Sequence, residues 1–195
     1  MNKKQAAKQQ RIENILLSLK KQSYMTRKQL QTLHRLGGDR NANRILKDMS
    51  EYLHSFKHGM ENVYYLSKLG RERVNSKVVR KKTAQVEHYL LRNQLWIYLN
   101  CPATWKNEVK IKAEDLTIRC DAMFYKGKIP VFVEVDVSQP MMRNKAKIEK
   151  YKRLKEISKQ EFYLVWVTAL ESRRATLNGL MKGLKGKVYT LNEIQ

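Results

Sequence analysis

An α+β fold in two domains, 1–76 and 83–195, is predicted by three observations. Apolar residues recur at helical spacing through the first fifty residues, and two short alternating runs joined by a turn follow them. Residues 75–82 (Asn75, Ser76, Lys77, Val78, Val79, Arg80, Lys81, Lys82) are cationic with little to bury, which marks a boundary. Beyond them the pattern reads α-β-β-β-α-β-α-β, an order that suits a mixed sheet flanked by helices.

In the first block, Ile12, Ile15, Leu16 and Leu19 make the buried stripe of a helix over residues 11–21. Thr26 starts a second helix, with Gln29 three residues on to complete a capping box and Gly37-Gly38 to end it. Asp39 is placed to cap a third helix over residues 40–50, whose inward side is Ala42, Ile45, Leu46 and Met49. Residues 53–56 read as a strand, 57–60 as a turn and 62–66 as the returning strand. Ser67 caps a closing helical turn, and Gly70 keeps it short. Three helices followed by a two-stranded hairpin is the order of a winged helix-turn-helix.

The second block opens with a helix over residues 83–100, which Pro102 terminates. Strand-like runs follow at 105–111, 118–125 and 130–137, the last two joined by a tight turn at Lys126-Gly127-Lys128. A charged helix (142–158), an apolar strand (162–167), a helix (171–184) and a short strand (187–191) complete the pattern.

Charge narrows the function. Lys and Arg number 40 against 18 acids, a net charge of +22. A body this basic repels itself unless a polyanion neutralises it, and nucleic acid is the usual one. No apolar run approaches the ~18 residues a membrane span needs, and no secretory apolar segment follows Met1; a cytoplasmic location is expected. Cys101 and Cys120 are far apart, which suits buried thiols in a reducing compartment rather than a disulfide framework or a zinc site. His54 and His58 lie in the strand running into the turn, and no metal site is read there.

Two groups of residues carry candidate chemistry. In the third helix Arg40, Arg44 and Lys47 stand at i, i+4 and i+7 with Asn43 beside them, opposite the apolar side. Arg bridges guanine O6 and N7 or clamps phosphate, and Asn reads adenine, so this is the composition of a helix that enters the DNA major groove. Lys57, in the expected wing turn with His58, is placed to touch the neighbouring backbone. The second group is acidic. Asp121 lies in one strand and Glu134 and Asp136 in the next, and period-two alternation puts the last two on one side. Three gathered carboxylates repel one another, and Mg²⁺ held by Asp121, Glu134 and Asp136 would relieve that and activate water on a phosphodiester. Lys147, with Tyr151 four residues on, would stabilise charge developing on the phosphate, so Asp121, Glu134 and Lys147 are the catalytic candidates. Equally, Glu134 or Asp136 can simply pair with Lys145 or Lys147.

The αβββαβ order with Asp121 and Glu134 resembles the PD-(D/E)XK nuclease-like core. Where that family has a lysine two residues after the acid, this chain has Asp136; Lys147 is the candidate for a lysine moved to the following helix, and without it the resemblance implies an inert relative that still binds DNA. The whole chain is similar to the replication-relaxation family of plasmids and conjugative elements. The residues that carry this are Thr26 to Leu30, Val63-Tyr64-Tyr65-Leu66 with Gly70, His88 to Leu91, Trp105 with Glu108 and Cys120-Asp121-Ala122. They continue through Phe132 to Asp136, Lys147 with Tyr151, and Val165 to Thr168 with Arg173. That resemblance implies a winged helix joined to a nuclease-like domain, acting in plasmid replication or relaxation of its DNA.

Three functions follow as expectations: an accessory DNA-binding factor that recruits replication or transfer proteins, a Mg²⁺-dependent endonuclease or nickase, and a transcriptional repressor. The accessory factor is preferred, because Asp136 replaces the most diagnostic nuclease residue. Glu87 is read as an exposed helical acid rather than a further ligand. A homodimer is left open by the apolar positions of the first helix, and no membrane partner is expected.

Overall fold

The computed structural model describes residues 2–195. It is a mixed α and β protein with two sheets, one of three strands and one of five, and it divides into two units that meet in sequence at Leu90 and Leu91. Among the described residues no helix is long and apolar enough to cross a membrane.

In the first unit α1 (Lys3–Gln22) begins ahead of its apolar stripe, because the Asn2 side chain caps it on the Lys4 amide at 3.2 Å. Ile12, Ile15, Leu16 and Leu19 are buried. A two-residue strand, β1 (Met25–Thr26), precedes α2 (Arg27–His34) and pairs antiparallel with β3 (Glu61–Leu66), which pairs in turn with β2 (Leu53–His58). Thr26 and Gln29 form the capping box expected of them.

Three local expectations are corrected. The glycine pair does not end α2: Arg35 does so in the left-handed conformation, and the Leu36 amide donates back to the Gln31 carbonyl at 3.0 Å as Leu36 packs into the core. Gly38, not Asp39, is the N-cap of α3 (Asp39–Asp48); the Asp39 carboxylate instead accepts from Arg27 at 2.6 Å, and that bond holds it below the usual carboxylate range. Lys57 is not in the turn. It is paired with Asn62 inside the ladder, and Gly59-Met60 alone make the turn.

Ser67 caps α4 (Lys68–Arg73) as expected. Gly70 is required by space rather than by φ, since a Cβ there would lie 2.1 Å from the Tyr52 carbonyl oxygen. Arg73 ties α4 to α1 through Glu13 and Gln9. The cationic stretch after it stays on the first unit: Tyr24 donates to the Lys81 carbonyl at 2.6 Å and Arg80 to Ser23 at 3.1 Å.

Helix α5 (Val86–Tyr98) runs through the division. The second unit then holds β4 (Lys106–Ala113), β5 (Leu116–Lys126), β6 (Ile129–Asp136), α6 (Met141–Ser158), β7 (Tyr163–Thr168), α7 (Arg174–Leu180), β8 (Gly186–Thr190) and α8 (Leu191–Ile194). The strands lie in chain order; β4, β5 and β6 are antiparallel, and β6, β7 and β8 are parallel, as the α6 and α7 crossovers require. The helix expected over 171–184 starts as a 3₁₀ turn and stops at Leu180, and α8 has no apolar period long enough to announce it. Ile148, Tyr151 and Leu154 of α6 and Leu177 of α7 pack with Phe132, Leu164, Trp166 and Val188 on one side of the sheet.

Two expected outcomes test the first unit. Gly70→Ala forces the Cβ into the Tyr52 carbonyl, and urea unfolding will read a loss of about 1–3 kcal/mol. His34 is held neutral, its pKa pushed down to about 4 by burial. The unfolded chain therefore binds more protons between its ordinary value near 6.5 and about 4, so stability falls as pH drops through that window. His34→Leu will flatten this acid limb in thermal melts; an unchanged limb rules His34 out as its cause.

Candidate functional site

On α3 the apolar residues Ala42, Ile45 and Leu46 are buried, while Arg40, Asn43, Arg44 and Lys47 are exposed. The helix is held at its start. Arg27 binds Asp39, Gln31 donates to the Gly37 carbonyl at 2.6 Å, and Asn41 donates to the Leu36 carbonyl at 2.7 Å. Arg44 donates to Asn41 at 2.8 Å and lies 3.6 Å from Asp48, an exposed pair of the kind worth little. Arg40 and Lys47 make no ion pair among the described residues. Lys57 is exposed on β2, and its neighbour His58 lies 3.3 Å from Glu87, so that acid has a surface partner.

The acidic group of the second unit is built around a break in the sheet. Cys120 and Met123 both pack on the α6 side although they are three residues apart, a spacing that a regular pleat does not allow. The pleat is thus interrupted between them without an inserted residue, since Asn107 faces Ala122 and Val109 faces Cys120 on either side of the break, and on β4 the facing residue Glu108 has φ +54°. The β5–β6 ladder ends at Ala122 and Val133. One step further, Asp121 replaces the missing strand bond: its Oδ2 accepts from the Val135 amide at 2.8 Å.

Glu134 follows Val133 on β6 and is 1% exposed. Tyr151 of α6 donates to its Oε1 at 2.5 Å, and the Lys147 ammonium contacts Oε2. The two α6 side chains stand one helical turn apart and close on the carboxylate together. Burial pushes the Glu134 carboxyl well above its usual range and Asp121 adds to this, while Lys147 and Tyr151 work the other way. Burial also works against the Lys147 ammonium, but Glu134 and then Asp121 outweigh it, and its pKa lies above the usual lysine value. Burial raises the Tyr151 hydroxyl too. The Cys120 thiol is pushed up to about 12, chiefly by burial, which leaves it unreactive at neutral pH.

Asp136 goes elsewhere. It is fully buried, and its Oδ2 accepts from Arg173 at 2.6 Å and from Thr168 at 3.3 Å; Arg173 also binds the Gln139 carbonyl. The structure therefore brings Asp121, Glu134, Lys147 and Tyr151 together and leaves Asp136 with its own cation. Among the described residues no group of three or more acids, histidines or cysteines is arranged to hold a metal ion. Mg²⁺ needs carboxylate oxygens free to coordinate it. Here Glu134 carries an ammonium and a phenol, Asp121 takes a backbone amide, and the free Oδ1 of Asp136 stands on a group already neutralised by Arg173. The arrangement does not fit a divalent ion held by these three carboxylates. Arg173 stands out in the sequence only through the family resemblance; its pairing with Asp136 is what local sequence reading misses, because the two lie 37 positions apart.

A mixed α and β protein of two units is thus defined, with an exposed basic helix face in the first and a buried carboxylate–lysine–tyrosine cluster in the second. The chain belongs to the replication-relaxation family, whose model matches residues 16–163. That span takes in α3, Asp121, Glu134, Lys147 and Tyr151 but not Arg173. No curated protein matches the chain.

Lys147→Met leaves Glu134 buried without its cation. At pH 8 the expected loss of unfolding free energy is about 3 kcal/mol, and it shrinks at pH 5, where the raised carboxyl takes up a proton instead. A Glu134→Gln/Lys147→Met double variant will recover part of that loss. Equal losses at both pH values would show that the pair does not carry a buried charge.

Proposed function

We propose that this chain is a DNA-binding accessory protein in the replication, relaxation or transfer of plasmid or mobile-element DNA. One observation carries the reading: Arg40, Asn43, Arg44 and Lys47 project together from α3, opposite its buried residues. The order helix, strand, helix, helix, hairpin in the first unit supports a winged helix-turn-helix with α3 as its recognition helix. Arg40 and Arg44 then address guanine edges or phosphates and Asn43 adenine, while the β2–β3 hairpin with Lys57 lies against the flanking backbone. A net charge of +22 and membership of the replication-relaxation family point to the same class of partner. The protein works in the cytoplasm, with DNA and replication or transfer proteins as partners.

The second unit, in this reading, has the PD-(D/E)XK-like α-β-β-β-α-β order without the metal chemistry. What supports this is Lys147 seated on Glu134 and Arg173 on Asp136, so that each buried acid is already neutralised by a cation of the chain. It binds DNA and does not cut it.

Selection from a randomised duplex library at fixed salt tests the reading. The wild-type chain is expected to enrich a defined sequence, and Arg40→Ala/Arg44→Ala to weaken its binding by about tenfold or more, since each base-reading side chain contributes about 1–3 kcal/mol. Equal affinity of variant and wild type would remove α3 from the interface. Supercoiled plasmid incubated with Mg²⁺ is expected to stay intact; nicking that disappears in Glu134→Ala would replace the accessory role with an endonuclease.

A further inference from the structure

Strand β5 parts from β6 at Ala122, and residues 116–120 pair with β4 alone. The opening is bordered by α6, where Arg143, Ala146, Lys147 and Lys150 recur at i, i+3, i+4 and i+7 along one face. Together with residues 117–119 of β5 they line a groove of about 360 Å³. Its lining holds four cations, Arg119, Arg143, Lys147 and Lys150, with no acid and no aromatic ring. Lys147 is engaged with Glu134 at the floor and is 29% exposed. The other three are exposed and make no ion pair among the described residues. Cations elsewhere on the same helix do find partners: Lys152 binds Glu149 at 2.8 Å, and Arg153 binds Asp115 at 2.7 Å.

We infer that this groove is a second nucleic-acid contact, which grips the sugar–phosphate backbone of a strand through Arg119, Arg143 and Lys150. Three like charges bordering one recess repel one another until an anion binds between them, and Arg forks match phosphate oxygens in pairs. The lining has no ring on which a base could stack and no amide side chain to read a base edge, so the contact is with phosphate and is blind to sequence. A lipid surface is the poorer match. The lining presents no exposed large apolar side chain that could enter a bilayer. This rests on the DNA-binding reading of the protein and adds a backbone clamp in the second unit to the base-reading helix of the first.

The test uses the full chain and a fluorescent duplex of arbitrary sequence, about 30 base pairs long, titrated between about 50 and 200 mM salt. Wild-type log Kd is expected to vary steeply with log salt. Arg119→Gln/Arg143→Gln/Lys150→Gln is expected to flatten that slope by about 2–3, close to 0.9 for each phosphate that is no longer neutralised. Its circular dichroism will be unchanged, because the three side chains are exposed. Lys150 in the wild-type chain will be protected from acetylation by the duplex, and Arg40→Ala/Arg44→Ala will keep that protection. An unchanged slope and an unprotected Lys150 would overturn the groove while leaving α3 as the DNA contact. A wild-type chain that binds no duplex at all would overturn both. Sedimentation with phosphatidylserine vesicles that the triple variant loses, in a chain that ignores DNA, would assign the groove to a membrane.

Discussion

Burying the Glu134 carboxylate in the second sheet constrains what surrounds it. An acid at 1% exposure needs a hydrogen-bond donor and a countercharge, and both come from α6. Because Lys147 and Tyr151 are a turn apart, closing both on one acid fixes the rotation of that helix. Ile148 and Leu154 are thereby turned into the core beside Phe132 and Phe162, and Arg143 and Lys150 are left at the edge, facing the gap where β5 has parted from β6. The cationic groove is a consequence of how the acid is satisfied. Such a pair roughly breaks even against apolar residues of the same volume, so stability alone does not account for it. What it adds is a polar anchor for α6 beside the apolar packing of Ile148, Tyr151 and Leu154.

The first unit reaches the same end by other means. Helix α3 has a sharply divided surface, and burial of Ala42, Ile45 and Leu46 already turns Arg40, Arg44 and Lys47 outward. The bonds at its start, Arg27 to Asp39, Gln31 to Gly37 and Asn41 to Leu36, hold its angle to α2. The DNA contact proposed for α3 would gain from this, because a fixed helix has less freedom left to lose on binding.

Much of this was legible in the amino-acid order. The α1 stripe, the Thr26–Gln29 capping box, the Ser67 cap and the strands of the second unit follow from periods and caps that act within a few residues. What was not legible depends on contacts across the chain. Strand β1 is two residues long and has no period to detect; it exists because Tyr64 and Val63 are there to pair with it. Asp39 looked like a cap until Arg27, twelve positions earlier, drew its carboxylate away. The period-two rule correctly set Glu134 and Asp136 on one side of β6, but two residues along a strand is nearly 7 Å, and that distance gives them different neighbours. The interrupted pleat at Asp121 and Glu108 was beyond reach for the opposite reason. Alternation presumes a regular pleat, and nothing local announces that β5 abandons it.

Where the charges sit explains how a chain of +22 stays folded and keeps a use for the excess. Inside the second unit each of the two buried acids is matched within the fold, Glu134 by Lys147 and Asp136 by Arg173, because an unmatched charge out of water costs several kcal/mol. At the surface water screens repulsion, and Arg119, Arg143 and Lys150, like Arg40 and Lys47, stand without an acid at small cost. The two buried acids of the second unit are neutralised where neutrality is compulsory, other acids pair at the surface, and the excess of cations stays where neutrality is optional. A polyanion arriving at that surface meets charge that the fold has not already used, while at Glu134 the Lys147 ammonium already occupies the carboxylate.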